Sequence, residues 1–357
     1  MNITIVGAGN GGTALAADLS LKDHKITLLK TSNKGHNEHF KNLINNFGKV
    51  VYEDSDGKHI TKIHKVTTSF EEALVPESEL IILFIQTNYH ENVIKKMIPY
   101  LKDNQVILIE PGYLSTSYFM KHCGDLNLII VEAESSPLDC RIVEAGKIKV
   151  LFKNIRNPVG IYPNSCKTKA MNILNQLDYN FIPLKSVVEA ALHNPNLIVH
   201  TIGAIMSIPR IEHSKSDYWM YREVFTPSIW NLVEKLDCEK MEVLKSLGIE
   251  PLSYVEACKF RNSENLDLDA KEVFFEYAQN SSTSGPTVSN SRYITEDVPE
   301  GLVLLESLGE LLNVSTPICS SLINIASACM KTNYREVGRN VDRLQLEKII
   351  GTLSNEN

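Results

Sequence analysis

Between residues 3 and 30 the chain alternates between apolar runs and a small-residue turn. ITIV at 3–6 has the unbroken β-branched character of a strand buried on both faces. ALAADLSL then supplies good helix formers, and KITLL at 25–29 reads as a second strand. The same spacing returns in LIILFIQ (80–86), QVILIE (105–110) and LNLIIVEA (126–133), with helical stretches such as ENVIKKMIPYL between them. KNIRNPVGIYPNS is rich in turn residues and reads as a connection, after which NFIPL closes one more strand. From Ser186 onward the period is helical, apart from a loop-rich insert at 262–293. These patterns predict an α/β domain with a doubly wound parallel sheet over 1–183, followed by an all-α domain over 184–357.

Gly7, Gly9 and Gly12 complete a G-x-G-x-x-G turn between the first strand and its helix, the context in which that pattern marks a dinucleotide site of the Rossmann type. Gly7 permits the tight turn, Gly9 lets a pyrophosphate approach the backbone, and Gly12 lets helix and strand pack closely. Asn10 opens the helix whose free N–H groups face the phosphates. The second strand ends in Leu29-Lys30-Thr31-Ser32-Asn33-Lys34, without the acid that usually accepts from the ribose 2′-OH. Lys30, Thr31 and Ser32 suit a 2′-phosphate instead, so NADP(H) is the preferred cofactor and NAD(H) the alternative. Ligands of such sheets bind beyond the carboxyl ends of the strands. That rule assigns Gln86 to the cofactor and places Gln86-Thr87-Asn88 and Glu110-Pro111-Gly112 at the site's border.

HNPNLIVHTIG at 193–203 places polar groups in an apolar stretch. Asn194-Pro195 reads either as a helix start or as a kink within one longer helix. On a 3.6-residue period His193, Asn196, His200, Gly203 and Ser207 share a face. Such a stripe either meets a polar network in the core or lines a cleft, and beside a dinucleotide domain a cleft is the more natural reading. Further on, Asp297-Val-Pro-Glu300 has the form of a capping box opening the helix GLVLLESLGELL, which gives Asp297 a structural reading. Arg292 lies on the preceding loop, solvated or poised as a fork for a carboxylate.

Composition narrows the partners. The 357 residues are 43% hydrophobic and 22% charged, with a net charge of −7 that argues against a nucleic-acid binder. No apolar run approaches the roughly 20 residues needed to span a bilayer, and Met1 leads straight into a strand, so neither a membrane partner nor a signal peptide is expected. Seven cysteines are scattered without a CxxC pair, which suits reduced thiols in a cytoplasm and no metal site. Cys319 and Cys329 read as small core residues of an apolar helix. His36 and His39, in a Lys/Asn-rich segment, read as solvated side chains rather than metal ligands.

Taken together, Gly7 to Gly12, ESSPLDCR at 134–141, HNPNLIVH at 193–200, YREVFTPSI at 221–229 and GPTVSNSRYITEDVPEGL at 285–302 resemble the opine dehydrogenase family. That family includes octopine, nopaline and N-(1-carboxyethyl)-norvaline dehydrogenases, and the resemblance covers essentially the whole chain. It implies a Rossmann domain that binds NAD(P)H, an all-helical substrate domain, and reductive condensation of an amino acid's amine with a 2-oxo acid. Carried over by position, His200 is the catalytic acid/base, Asp297 its carboxylate partner, and Arg292 a clamp for a substrate carboxylate. Arg141 is a second candidate clamp, also suited to supporting the loop that joins the domains. Glu134 falls beside the amino-acid pocket, where it would suit a cationic side chain. The chain departs from the family after the fifth strand, where Pro111-Gly112-Tyr113 replaces a glycine-containing G-x-x-G. A homodimer acting only on small molecules completes the expectation. A reductase of a simple 2-oxo acid, like ketopantoate reductase or glycerol-3-phosphate dehydrogenase, is the alternative enzyme, and an NADP(H)-binding sensor the non-catalytic one.

Overall fold

Ile3, Ile5, Val6, Leu28, Leu29 and the whole of Leu80–Leu83 are buried, as unbroken apolar strands must be when both faces of their sheet are covered. The computed structural model describes residues 1–33, 35–75, 78–214 and 217–355. Its contacts divide the chain into Met1–Val187 and Val188–Asn357, where the sequence pattern places the change at 183/184.

The first unit contains β1 (Asn2–Val6), β2 (Lys25–Leu29), β3 (Lys49–Asp54), β4 (Gly57–Lys62), β5 (Lys65–Thr67), β6 (Leu80–Leu83), β7 (Val106–Ile109), β8 (Ile129–Ala133), β9 (Leu138–Glu144), β10 (Lys147–Lys153), β11 (Asn157–Tyr162) and β12 (Phe181–Pro183). Eight of them form one sheet in the order β12-β11-β8-β7-β6-β1-β2-β5. β1 lies between β2 and β6 and runs parallel to both. The strand order therefore reverses at β1, the kind of switch point beside which open α/β sheets bind ligands. The helix α1 (Asn10–Leu21) makes the crossover from β1 to β2.

Two features differ from the sequence expectation. NPVGIY, inside the segment read as a connection, is β11, and it pairs antiparallel with β8, so the sheet is mixed at that edge. Asn157, Pro158 and Gly160 disguise the strand; a Cβ at Gly160 would meet the Ser186 carbonyl oxygen at 2.4 Å, so close packing there excludes a side chain. The second feature is a separate four-stranded sheet in the order β4-β3-β10-β9, which packs against α1. None of it was expected, because its buried positions are few, alternating over only two residues in each of β3, β9 and β10 and absent from β4.

Asp18 on α1 ties these layers together. The phenols of Tyr52 on β3 and Tyr179 ahead of β12 donate to its two carboxylate oxygens at 2.7 and 2.6 Å. Burial, then the adjacent carboxylate, raises the pKa of both phenols, so each remains a donor and Asp18 stays satisfied in a dry setting.

In the second unit the helix Asn196–Ile205 is buried from Leu197 through Ile205. It packs against the helices Pro227–Ser246 and Pro317–Met330 and against the segments Arg292–Thr295 and Val298–Leu302. The insert at 262–293 is less irregular than its composition indicates. It holds the helix Ala270–Asn280, whose first turn is capped by Asp269 accepting from the amides of Lys271 and Glu272. Cys319 is buried as expected, whereas Cys329 on the same helix is exposed. Among the described residues no helix is long and apolar enough to cross a membrane, and no cluster of His, Cys, Asp or Glu is arranged to hold a metal.

Candidate active site

The glycine turn has the geometry its sequence implies. Gly7 has φ +132°, and a Cβ there would meet the Phe84 carbonyl oxygen at 2.0 Å; at Gly12 it would meet the Gly7 oxygen at 1.9 Å. Gly9 differs, since the nearest atom to a Cβ there is His36 Cδ2 at 3.8 Å. Among the described residues no atom demands a glycine at that point, and the space fits a phosphate approaching the backbone. α1 then begins at Asn10 with no side-chain cap and no acid in its first turn. Unpaired amides and the positive end of the helix dipole together fit a pyrophosphate.

The other expected cofactor residues are more varied. The side-chain oxygen of Asn10 accepts from the Ile142 amide at 2.8 Å, tying the turn to β9. Lys30 is largely buried; its ammonium donates to the Gly35 carbonyl at 2.8 Å and lies over the Phe40 ring. Burial lowers its pKa. Thr31 is half-buried and Ser32 exposed, while Lys34 lies outside the described residues. Gln86 is exposed and precedes the short turn Thr87–Tyr89 without a side-chain capping bond.

His36 and His39 part company. His36 is exposed near Gly9, in a cleft also lined by Glu38, Ile142 and Glu144. His39 is not solvated: it sits on the inner face of the helix Asn37–Asn45 with Phe40 and Leu43. Its Nδ1 accepts from the Gly146 amide at 3.0 Å, and burial pushes its pKa down to about 4.

Where the chain departs from the family after β7, Glu132 organises the loop. It accepts from the amides of Leu114 and Thr116 at 2.8 and 2.5 Å and from the Thr116 hydroxyl at 2.6 Å. Gly112 lies against that carboxylate, with no room for a side chain. Glu110, at the end of β7, is fully buried with neither carboxylate oxygen hydrogen-bonded, and burial raises its pKa to about 8. Glu134 follows β8 and is buried, its amide donating to Pro158. Arg141 is part of β9, with its guanidinium on the Cys140 carbonyl.

The second unit assembles the chemistry. Asn194-Pro195 breaks the chain between the helices Val187–Leu192 and Asn196–Ile205, and Asn194 Oδ1 accepts from the Asn196 amide. His193 and His200 consequently face different surroundings. His193 is buried near Lys240 and Arg261; burial first, then those cations, holds its pKa well below the usual range, so it stays neutral. Lys240 is paired with Asp237 at 2.6 Å. This end of the stripe meets a core polar network.

His200 meets an acid. Its Nδ1 lies 2.8 Å from Asp297 Oδ2, and both side chains are buried. A carboxylate only accepts, so the imidazole nitrogen donates. Asp297 does not cap the helix: its backbone is already helical at φ −73°, ψ −24°, and its side chain makes no capping hydrogen bond. The helical turn starts earlier, at Arg292, and the Asp297 carboxylate meets His200 instead. Glu300, the other half of the expected capping box, instead forms a buried ion pair with Arg339.

Arg292 opens that turn rather than lying on a loop, and is exposed. Desolvation works against its charge, but Glu296, Tyr293, Asp297 and Tyr221 outweigh it and raise the pKa. Sequence reasoning missed two aromatic neighbours. Tyr293 stacks on the His200 ring with centroids 3.7 Å apart and planes at 13°, and Tyr221 approaches edge-on at 6.5 Å. The signal available was Tyr293's place beside Arg292.

Residues 183–330 match the family model described as NAD/NADP octopine/nopaline dehydrogenase, alpha-helical domain. The helical half of the chain is thus similar to that domain of the opine dehydrogenases. Those enzymes are NAD(P)-dependent oxidoreductases. Residues 3–117 match the ketopantoate reductase PanE/ApbA model, consistent with a dinucleotide domain. An opine dehydrogenase of Arthrobacter sp. (strain 1C) is 25% identical over 96% of this chain and 94% of its own. Among solved structures, octopine dehydrogenase in complex with NADH and agmatine aligns at TM-score 0.77 and 18% identity, covering 96% of this chain and 95% of its own. Yersinopine dehydrogenase with NADP+ bound aligns at 0.70 and 13%, covering 100% and 98%.

Proposed function

We propose that this protein is an opine dehydrogenase, joining the amine of an amino acid to the keto carbon of a 2-oxo acid and using NADPH in preference to NADH. The single observation that carries the reading is the buried contact of His200 Nδ1 with Asp297 Oδ2 at 2.8 Å. Amine addition to the ketone gives a carbinolamine, and loss of water gives the imine; both steps move protons near neutral pH, where imidazole works best. Asp297 holds the ring in one tautomer and leaves Nε2 to exchange protons with the substrate, protonating the departing hydroxyl. Arg292 holds a substrate carboxylate, a planar fork against a planar anion. The dinucleotide, when bound, supplies hydride to the imine carbon. The products are a secondary-amine dicarboxylate, water and the oxidised cofactor.

Preference for the 2′-phosphate rests on the end of β2, where Thr31 and Ser32 stand in place of an acid. Seven cysteines, none in a disulfide, suit a reducing cytoplasm. The deciding experiment is a cofactor-oxidation screen of the purified protein with pyruvate-like oxo acids and a panel of amino acids, with mass detection of the product. Oxidation that depends on both substrates and yields a secondary amine is expected. Oxidation by oxo acid alone, unchanged by any amino acid, would instead make the chain a simple oxo-acid reductase.

A further inference from the structure

We propose that Tyr293 is a positioning residue for His200, fixing the plane of the imidazole as Asp297 fixes the direction of Nδ1. The proposal rests on the acid/base role of His200. The Nδ1–Oδ2 hydrogen bond sets the direction of one ring nitrogen but does not by itself set the plane of the ring. The stack does: a phenol face 3.7 Å away and tilted by 13° admits only a near-parallel imidazole. Tyr221, at 76° to the ring, limits displacement from another side. The π face of Tyr293 also attracts an imidazolium more than a neutral ring, so the stack favours the form that donates a proton.

Tyr293 is itself held in place. Together with Tyr221 it packs on a cluster of Ile211, Tyr218 and Met220, all essentially inaccessible. Met220 reaches the catalytic helix at Gly203, where a Cβ would meet its sulfur at 2.6 Å. Gly203 lies three residues after His200, on the same face of the helix. Glycine is intrinsically unfavourable inside a helix, and here its small size makes room for Met220. The same short turn that carries Tyr293 also carries Arg292. One element thereby sets both the plane of the proton donor and the root of the carboxylate clamp.

The test compares Tyr293→Phe, Tyr293→Leu and Tyr293→Met with His200→Ala in steady-state assays, after circular dichroism and melting confirm folding. Tyr293→Phe keeps the stack and should stay within about twofold of the parent kcat. Tyr293→Leu and Tyr293→Met should lose about tenfold or more in kcat with the cofactor KM unchanged, because misplacing a catalytic group by about 1 Å costs on the order of 10²-fold. Met, unbranched and adaptable, serves where Leu does not fold. Parent-like turnover in Leu and Met overturns the proposal, and so does a Phe variant that falls as far as Leu, since the hydroxyl would then matter rather than the ring plane. Near-normal turnover in His200→Ala overturns the acid/base reading instead, whatever the tyrosine variants do.

Discussion

His200 and Asp297, 97 residues apart, meet through a 2.8 Å hydrogen bond between two buried side chains. Burying an imidazole and a carboxylate together is favourable only if each satisfies the other, and removing one partner strands the second. His200→Ala should therefore leave NAD(P)H affinity intact while turnover falls on the order of 10²-fold or more, the usual scale of acid/base assistance. Asp297→Asn keeps the shape but offers a neutral partner, and should lose turnover in the same direction. Steady-state kinetics alongside cofactor titration by fluorescence checks both. Turnover close to the parent's in either variant would remove the pair from the mechanism.

Arg292 is exposed, and among the described residues no hydrogen bond or ion pair to its guanidinium is found. A cation surrounded by Glu296 and Asp297 without a bonded partner is well placed for an incoming carboxylate. Arg292→Lys keeps the charge but loses the fork. The KM for one carboxylate substrate should rise about tenfold or more with a smaller change in kcat, and Arg292→Ala should go further. Initial rates with each substrate varied in turn identify which carboxylate is held; unchanged KM for both would end the clamp assignment.

The cofactor reading makes its own demand. Thr31 is half-buried at the end of β2. An aspartate there would accept from a ribose 2′-OH and repel a 2′-phosphate. Thr31→Asp should lower the ratio of kcat/KM for NADPH to that for NADH by about tenfold, equivalent to about 1.4 kcal/mol of differential binding. The parent protein is assayed with both cofactors alongside. A ratio that does not move places the discriminating contact elsewhere.

Legibility followed locality. The glycine turn could be read because strand, turn and helix are contiguous and each glycine answers a local constraint. The His200–Asp297 contact could not be read from spacing, and only the resemblance of two distant motifs joined them. Asp297 imitates a helix cap because Asp-x-Pro-Glu has the right composition, yet Pro299 has no N–H and the Glu300 amide already donates to the Glu296 carbonyl. The second sheet escaped notice for the opposite reason: the alternation in β3, β9 and β10 extends over only two buried residues each, and β4 buries none. Its surviving signals were the hairpin glycines Gly57 and Gly146, at φ +125° and +83°. His39 looked solvated among lysines and asparagines, but Phe40 and Leu43 turn its side of the helix inward.

Glu110 provides a test that does not depend on the reaction. Its carboxyl is buried at the end of β7, with both oxygens lacking a hydrogen-bond partner, and burial raises its pKa from 4.5 to about 8. The folded protein therefore holds a proton there that the unfolded chain releases above about pH 4.5. By linkage, stability from this group is fully present below the unfolded value, declines as pH rises, and is lost once pH passes the folded value near 8. A shift of this size corresponds to roughly 4–5 kcal/mol between the two limits. Glu110→Gln carries no charge at any pH and should flatten the decline, so the variant should melt higher than the parent at pH 9 and differ little at pH 5. Denaturant melts across that range supply the comparison. Parallel pH profiles for parent and variant would mean that the carboxyl ionises in the folded protein at little cost.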